Sequence, residues 1–321
     1  MAVYTEVADA DLLSFMSAYP LGQVLSVKGI AEGVENTNYL VHMEAGPFIL
    51  TLYEKRVKRH DLPFFLGLME HLSGKGLTCP TPIHDSAGSV LRELAGRPAA
   101  VMSFLEGMWP KRPSVAHCRA VGEALARFHL AASDYGIERP NALSVMDWRP
   151  LMQPVADRAE REWPGIMAEV TTDLDALEAR WPDALPTGVV HADLFPDNVF
   201  FLGDRLSGII DFYFACNDML AYDLAICLNA WCFEPDLSFN VTKSQALVSG
   251  YQSVRPLTTN ETLVMPLLAQ GAAMRFLATR LVDWINYPPN AFVKPHDPIA
   301  YLKRLRFHRQ SQGPGDYGIT S

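Results

Sequence analysis

Val189-Val190-His191-Ala192-Asp193-Leu194-Phe195-Pro196-Asp197-Asn198-Val199-Phe200-Phe201, followed by Ile209-Ile210-Asp211-Phe212, is the stretch that decides how this chain reads. Two apolar runs, Val199 to Leu202 and Leu206 to Ile210, flank Gly203-Asp204 and spell a β-hairpin with Asn198 at one end and Asp211 at the other. Such a hairpin returns its two ends to one place. Ahead of it, a short apolar strand runs into a loop that carries His191 and Asp193. A carboxylate on a short loop can orient an attacking hydroxyl and take up its proton, and Asp193 fits that role. Mg2+ prefers carboxylate and amide oxygens alongside phosphate and water, and Asn198 and Asp211 supply one of each. In isolation each of these residues is an ordinary turn, cap or core residue. The ordered set, His-x-Asp-x4-Asn and then Ile-Asp-Phe, is the layout that phosphoryl transfer from Mg-ATP requires.

The same residues carry a resemblance. The segment resembles the catalytic loop and metal-binding segment of the aminoglycoside phosphotransferase and choline kinase superfamily, whose fold is similar to that of the protein kinases. The resemblance implies Asp193 as the base and Asn198 and Asp211 as holders of Mg2+. It places His191 in the catalytic loop as a support for the metal-binding segment rather than as a proton carrier. Downstream, Asn217-Asp218-Met219-Leu220-Ala221-Tyr222-Asp223-Leu224-Ala225 resembles the family's Gly-Asp-Pro-x-x-Asp-Leu-Ala segment. By that likeness Asp218 caps a helix and Asp223 braces the catalytic loop.

Composition sets bounds that agree. At 321 residues, 49% apolar and 20% charged, the chain can bury large cores, and its length favours two lobes. A net charge of −9 argues against a nucleic-acid or anionic-membrane partner, which would call for a basic face. Cations that bind phosphate must therefore be local. Cys79, Cys118, Cys216, Cys227 and Cys232 show no paired metal-ligand spacing and mostly sit in apolar runs, which predicts buried thiols in a reducing cytoplasm. No leader pattern and no uncharged apolar run of membrane-spanning length is evident, so a cytoplasmic enzyme is expected.

Along the chain, the first hundred residues read as strand-rich and the rest as helical, an α+β, bilobal, protein-kinase-like arrangement. A small antiparallel-sheet lobe that binds nucleotide is expected over 1–105, and a larger, mainly helical lobe for catalysis and substrate over 106–321. Asp9 can cap a helix through Ala18. Strands are predicted at Val24 to Ile30, Tyr39 to Met43, Phe48 to Tyr53, Val90 to Leu94 and Ala99 to Phe104, with one helix, Leu62 to Lys75, that ends at Gly76. The polar loop from Gly29 to Asn38 can lay backbone N–H groups over a triphosphate, which makes Gly33, Val34, Asn36 and Asn38 nucleotide-binding candidates. The likeness adds hinge backbone at Ser103, Phe104 and Leu105 for the adenine edge. Helices are expected at Cys118 to Ala131, with His129 buried, and at Trp148 to Pro164, Glu169 to Trp181, Tyr222 to Trp231, Val241 to Tyr251, Asn260 to Asn286 and Asp297 to Arg309. The closing Gln310 to Ser321 reads as a loose tail.

The whole chain resembles one branch of the superfamily, the homoserine kinases of the aminoglycoside phosphotransferase type. The features that carry this are Met1-Ala2-Val3-Tyr4-Thr5, the loop from Gly29 to Tyr39, Phe48-Ile49-Leu50-Thr51-Leu52-Tyr53-Glu54, Leu62-Pro63-Phe64-Phe65 and Asp211-Phe212-Tyr213-Phe214-Ala215-Cys216. It implies transfer of the ATP γ-phosphate to the side-chain hydroxyl of L-homoserine. One departure stands out: where kinases of this fold place a Lys or Arg on the third strand, this chain has Thr51. A zwitterionic acceptor needs an Arg for its carboxylate. Arg275 and Arg280 are candidates, but at 100° per residue they lie about 140° apart on one helix and cannot both face one small ligand. Tyr213 and Trp231 are candidate pocket walls. A choline or aminoglycoside kinase, and a kinase-like module that binds nucleotide without turnover, are the alternatives. The oligomeric state stays open.

Overall fold

The computed structural model describes residues 5–30, 36–54, 57–287 and 295–319. Helix α1 (Asp9–Met16) is capped one residue earlier than expected: Ala8 is the N-cap, while Asp9 and Asp11 sit in the first turn, where carboxylates meet the positive end of the helix dipole. Alternating apolar and polar residues then fold as β1 (Val24–Ile30), β2 (Thr37–Met43) and β3 (Gly46–Leu52). After α2 (Leu62–Gly74), whose exit is set by Gly76 at φ 85°, come β4 (Arg92–Leu94) and β5 (Arg97–Ser103). These five strands make one antiparallel sheet in the order β1-β2-β3-β5-β4.

Directly opposed residues share a sheet face, so the register sorts the side chains. Tyr39, Val41, Leu50, Leu52, Ala99 and Val101 bury against Leu12, Phe15 and Met16 of α1. On the other face Lys28, Leu40, Ile49 and Met102 stand in one row, with Ile30, Asn38, Thr51 and Ala100 in the next.

The helical part comprises α3 (Val115–Ala131), α4 (Val145–Met152), α5 (Ala156–Glu162) and α6 (Ile166–Arg180). The single helix expected from Trp148 to Pro164 is two, because Pro154 has no N–H to continue the ladder and sits in a 3-10 turn, Gln153–Val155. Next come β6 (Thr187–Val190), the hairpin β7 (Val199–Leu202) and β8 (Arg205–Ile209), and β9 (Cys216–Met219), which pairs antiparallel with β6. The chain continues through α7 (Leu220–Trp231), α8 (Val241–Gln252), α9 (Thr259–Ile285) and α10 (Ile299–Gln310). By length and composition α9 could cross a membrane, but most of its apolar stretch is buried among its neighbours, as suits a core helix.

Helices α3 and α8 meet backbone to backbone. A Cβ at Gly122 would stand 2.0 Å from the Leu247 carbonyl oxygen, and one at Gly250 2.2 Å from that of Arg119. The end of the chain is not the loose tail expected. A 3-10 turn, Pro314–Tyr317, buries Tyr317 and Ile319; the Tyr317 carbonyl accepts from Ser244 Oγ (2.7 Å), and its hydroxyl bonds His308 Nδ1 (2.8 Å). A single aromatic ring in an unpatterned stretch gave the sequence no period to read. All five cysteines are free and buried.

The chain divides into two compact units. A strand-rich one comprises Met1–Met108, Tyr135–Ile137 and Ser207–Tyr213; a helical one comprises Trp109–Asp134, Glu138–Leu206 and Phe214–Ser321.

Candidate active site

In the helical unit, β6 delivers the chain into a loop held by side chains at every peptide plane from His191 to Leu194. The N–H groups of His191 and Ala192 donate to the two carboxylate oxygens of Asp223 (2.7 and 2.9 Å). Ala192 adopts φ 63°, a conformation disfavoured for a residue with a Cβ, and Arg275 Nη1 donates to its carbonyl. His191 Nδ1 accepts from Asp193 N (3.3 Å), Asn198 Nδ2 donates to the Asp193 carbonyl (2.8 Å), and Trp231 Nε1 donates to that of Leu194 (2.7 Å). The loop is thus fixed before any substrate arrives. Asn198 Nδ2 also lies 3.3 Å from Asp193 Oδ2, so two of the residues assigned to chemistry share one loop and one hydrogen bond.

Asp223 is buried without exposure on α7. Burial by itself would raise its pKa, but the bond from His129 Nε2 (3.0 Å), that ring's charge and the loop N–H groups outweigh it and hold the carboxyl below its usual range. A buried polar chain continues from His129 Nδ1 to the Tyr251 hydroxyl (2.8 Å), then to Arg255 (3.1 Å) and Glu261 (2.9 Å) at the start of α9. Asp218 Oδ1 accepts from Met219 N (2.7 Å) at the entry to α7, so it serves the helix start while Met219 is the formal cap.

Two of the four substrate candidates have other work. Arg275 is buried, its guanidinium over the rings of Phe214 (5.6 Å) and Phe276 (4.6 Å) and bonded to Ala192; Trp231 is spent on Leu194. Both support the loop. Arg280 differs: its guanidinium lies 4.3 Å from the centroid of the Tyr301 ring and, among the described residues, has no hydrogen bond or ion pair. Arg304 stacks on the same ring at 4.5 Å and bonds the Asn229 carbonyl (2.8 Å). Burial pulls the Arg280 pKa below its usual value, with the Arg304 charge acting in the same sense and the carboxylates of Asp193 and Asp197 opposing it. The sequence missed Arg304 and Tyr301 because nothing local marks a helix face that meets another helix.

In the strand-rich unit, Asp211 follows β8 with φ 64°. Tyr213 is half-buried, its hydroxyl 3.2 Å from that of Tyr53 and its ring edge-on to Phe65, and desolvation raises its pKa well above the ordinary value. Thr51, where related kinases carry a cation, is buried and donates to Asn38 Oδ1 (2.8 Å), while Asn36 Oδ1 accepts from Glu54 N (3.3 Å). Ser103 exchanges hydrogen bonds with Thr81 (both 2.9 Å), Phe104 is partly exposed, and the Leu105 side chain packs where a Cβ at Gly208 would stand, 2.8 Å away. Gly33 and Val34 lie outside the described residues.

The family model described as "Phosphotransferase enzyme family" matches residues 26–257 of this chain. Curated homoserine kinases match it end to end: that of Rhodospirillum rubrum is 59% identical over 320 residues, covering 100% of both chains, and that of Bradyrhizobium diazoefficiens is 60% identical, covering 99% of this chain and 98% of its own. The chain belongs to the homoserine kinases of the phosphotransferase enzyme family. Among solved structures, this homoserine kinase family member is similar to the amicoumacin kinase hAmiN in complex with AMP-PNP and Ca2+ (TM-score 0.71, 15% identity, 95% and 94% of the two chains). It is also similar to the spectinomycin phosphotransferase APH(9)-Ia (TM-score 0.69, 12% identity, 98% of each chain). At such identities the likeness shows the α+β kinase fold. The homoserine kinase sequences, not those structures, separate this member from its antibiotic-modifying cousins.

Proposed function

We propose that the chain transfers the γ-phosphate of ATP to the side-chain hydroxyl of L-homoserine, giving O-phospho-L-homoserine on the route to threonine. The observation that carries this reading over a choline or aminoglycoside kinase is the guanidinium pair on Tyr301. Two arginines stacked on one buried ring, neither with an ion pair among the described residues and Arg280 with no hydrogen bond there either, form a receptor for an anion. A homoserine carboxylate satisfies it, whereas a quaternary ammonium or a polycationic drug is repelled.

Asp193 orients the hydroxyl and accepts its proton as the oxygen bonds to the γ-phosphorus and the bond to the ADP oxygen breaks. Arg280 takes the acceptor's carboxylate. Asn198 fits a hard cation, since its Nδ2 is committed to the Asp193 carbonyl and its Oδ1 is the group left to coordinate. Asn198 and Asp211 would hold Mg2+, which when bound neutralises charge on the triphosphate. Asn36, Asn38 and Thr51, with Gly33 and Val34 of the same polar loop and the hinge at Ser103, Phe104 and Leu105, are assigned to the nucleotide. The reading places the enzyme in the cytoplasm, with small-molecule substrates and no nucleic-acid or membrane partner.

A coupled ADP-release assay with homoserine, threonine, serine, choline and kanamycin side by side tests it. Homoserine is expected to give turnover, and turnover only with choline or kanamycin overturns the assignment. Asp193→Ala is expected to bind ATP nearly as well as the wild type while kcat falls about 10³-fold or more. Comparable turnover in that variant removes Asp193 from the mechanism.

A further inference from the structure

We infer that Arg275 is a positioning residue of the transfer: by gripping the Ala192 carbonyl it fixes the plane of the Ala192–Asp193 peptide and thereby aims the Asp193 carboxylate. The inference rests on the reading of Asp193 as the residue that handles the acceptor hydroxyl.

Each peptide plane of the loop has its own anchor. Asp223 holds the N–H groups of His191 and Ala192, which fixes the two planes that precede Ala192 Cα. Asn198 and Trp231 hold the carbonyls of Asp193 and Leu194, the two planes that follow Asp193 Cα. The plane in the middle carries the Ala192 carbonyl at one end and the Asp193 N–H at the other. Its N–H end makes a 3.3 Å contact to His191 Nδ1, and its carbonyl end accepts from the charged donor of Arg275. Ala192 sits at φ 63° although it has a Cβ, a torsion set by the preceding plane that Asp223 holds. The Ala192–Asp193 plane itself turns about ψ of Ala192 and φ of Asp193, and its rotation would swing the Asp193 side chain, so the grip on the Ala192 carbonyl bears directly on where that carboxylate points.

The surroundings of Arg275 suit this single task. The side chain is 2% exposed, its guanidinium over two aromatic rings, and its Nε has no hydrogen-bond partner among the described residues. No carboxylate lies within ion-pair distance of it among the described residues, so the neutral carbonyl is where its charge is spent. A buried guanidinium is costly, and an apolar residue of similar volume would pack there more cheaply. Its presence is explained by what it does to the loop.

The test compares wild type, Arg275→Met and Arg275→Lys for kcat, for KM of ATP and homoserine, and for thermal melting. Arg275→Met is expected to lower kcat about 100-fold, the cost of a misplaced catalytic group, with both KM values within about threefold of wild type. Arg275→Lys, which keeps a charged donor but not the planar fork, is expected to recover about tenfold of that loss. A role confined to stability would lower the melting temperature and leave kcat unchanged well below it, and a folded Arg275→Met with wild-type kcat overturns the inference. Should Arg275→Met not fold, wild-type kcat in Arg275→Lys does the same. Failure of wild type to phosphorylate homoserine would sink the substrate reading instead, and the two failures are separate measurements.

Discussion

Arg275 and Arg280 stand five residues apart on α9 and do different work, as the helical angle between them requires. One holds a loop carbonyl; the other, stacked on Tyr301, is assigned to the acceptor carboxylate. Truncating one partner of a desolvated charge pair costs about 2–5 kcal/mol. Arg280→Met is therefore expected to raise KM for homoserine about 100-fold and leave KM for ATP unchanged, by steady-state kinetics with each substrate varied in turn. A matching rise in the ATP constant would move Arg280 to the nucleotide. Thr51 makes the opposite point. Its hydroxyl is bonded to Asn38, so β3 offers the phosphates no cation, and the substitution seen in the sequence is a built-in feature of this sheet.

Among the elements, the α3 and α8 pair is held at backbone contact by Gly122 and Gly250. A methyl group at either position would meet a carbonyl oxygen that cannot move aside, unlike the tip of a flexible side chain. Gly122→Ala is expected to cost about 3 kcal/mol, the upper end of overpacking penalties, measured as a lowered urea midpoint at unchanged slope. Helix α10 and the closing turn make a second case. His308 is buried between the Tyr317 hydroxyl and Asn229 Oδ1 (3.0 Å); the amide oxygen can only accept, so Nε2 carries the proton and Nδ1 receives the Tyr317 hydrogen. Burial, helped by the Arg304 charge, pushes its pKa down to about 3 from the ordinary 6.5. A depressed histidine contributes stability that is fully present above pH 6.5 and is lost as pH falls through about 3, since the unfolded chain takes up the proton first. Denaturant melts of wild type and His308→Gln over that window should converge as the pH drops. A constant difference would show that His308 is not neutral in the fold.

For the molecule as a whole, ligand binding and folding are one equilibrium. MgATP at a hundredfold excess over its Kd is expected to add about 2.7 kcal/mol to unfolding, read as a raised melting temperature, and chelation of the metal should remove most of that gain. Choline in place of homoserine should add nothing further. The net charge of −9 gives no help in drawing in an anionic nucleotide, so the binding energy has to come from local groups.

The sequence by itself determined the order of most strands and helices and the loop that carries Asp193 and Asn198, which are written in short-range periodicity and spacing that local chain geometry converts directly into structure. The bonds from the loop N–H groups to Asp223, 32 residues on from His191, were implied by the family likeness and are formed by the fold. The break at Pro154 is also local in origin, because proline has no N–H to continue a helical ladder. Only the tertiary structure decided that Arg275 and Trp231 serve the loop, that Arg280 and Arg304 share the ring of Tyr301, and that Tyr317 seals the end of the chain. Most of those partners are remote in sequence, 83 residues apart for Arg275 and Ala192. Which face of a helix meets which neighbour is fixed by the packing of the entire core, and no single segment contains that information.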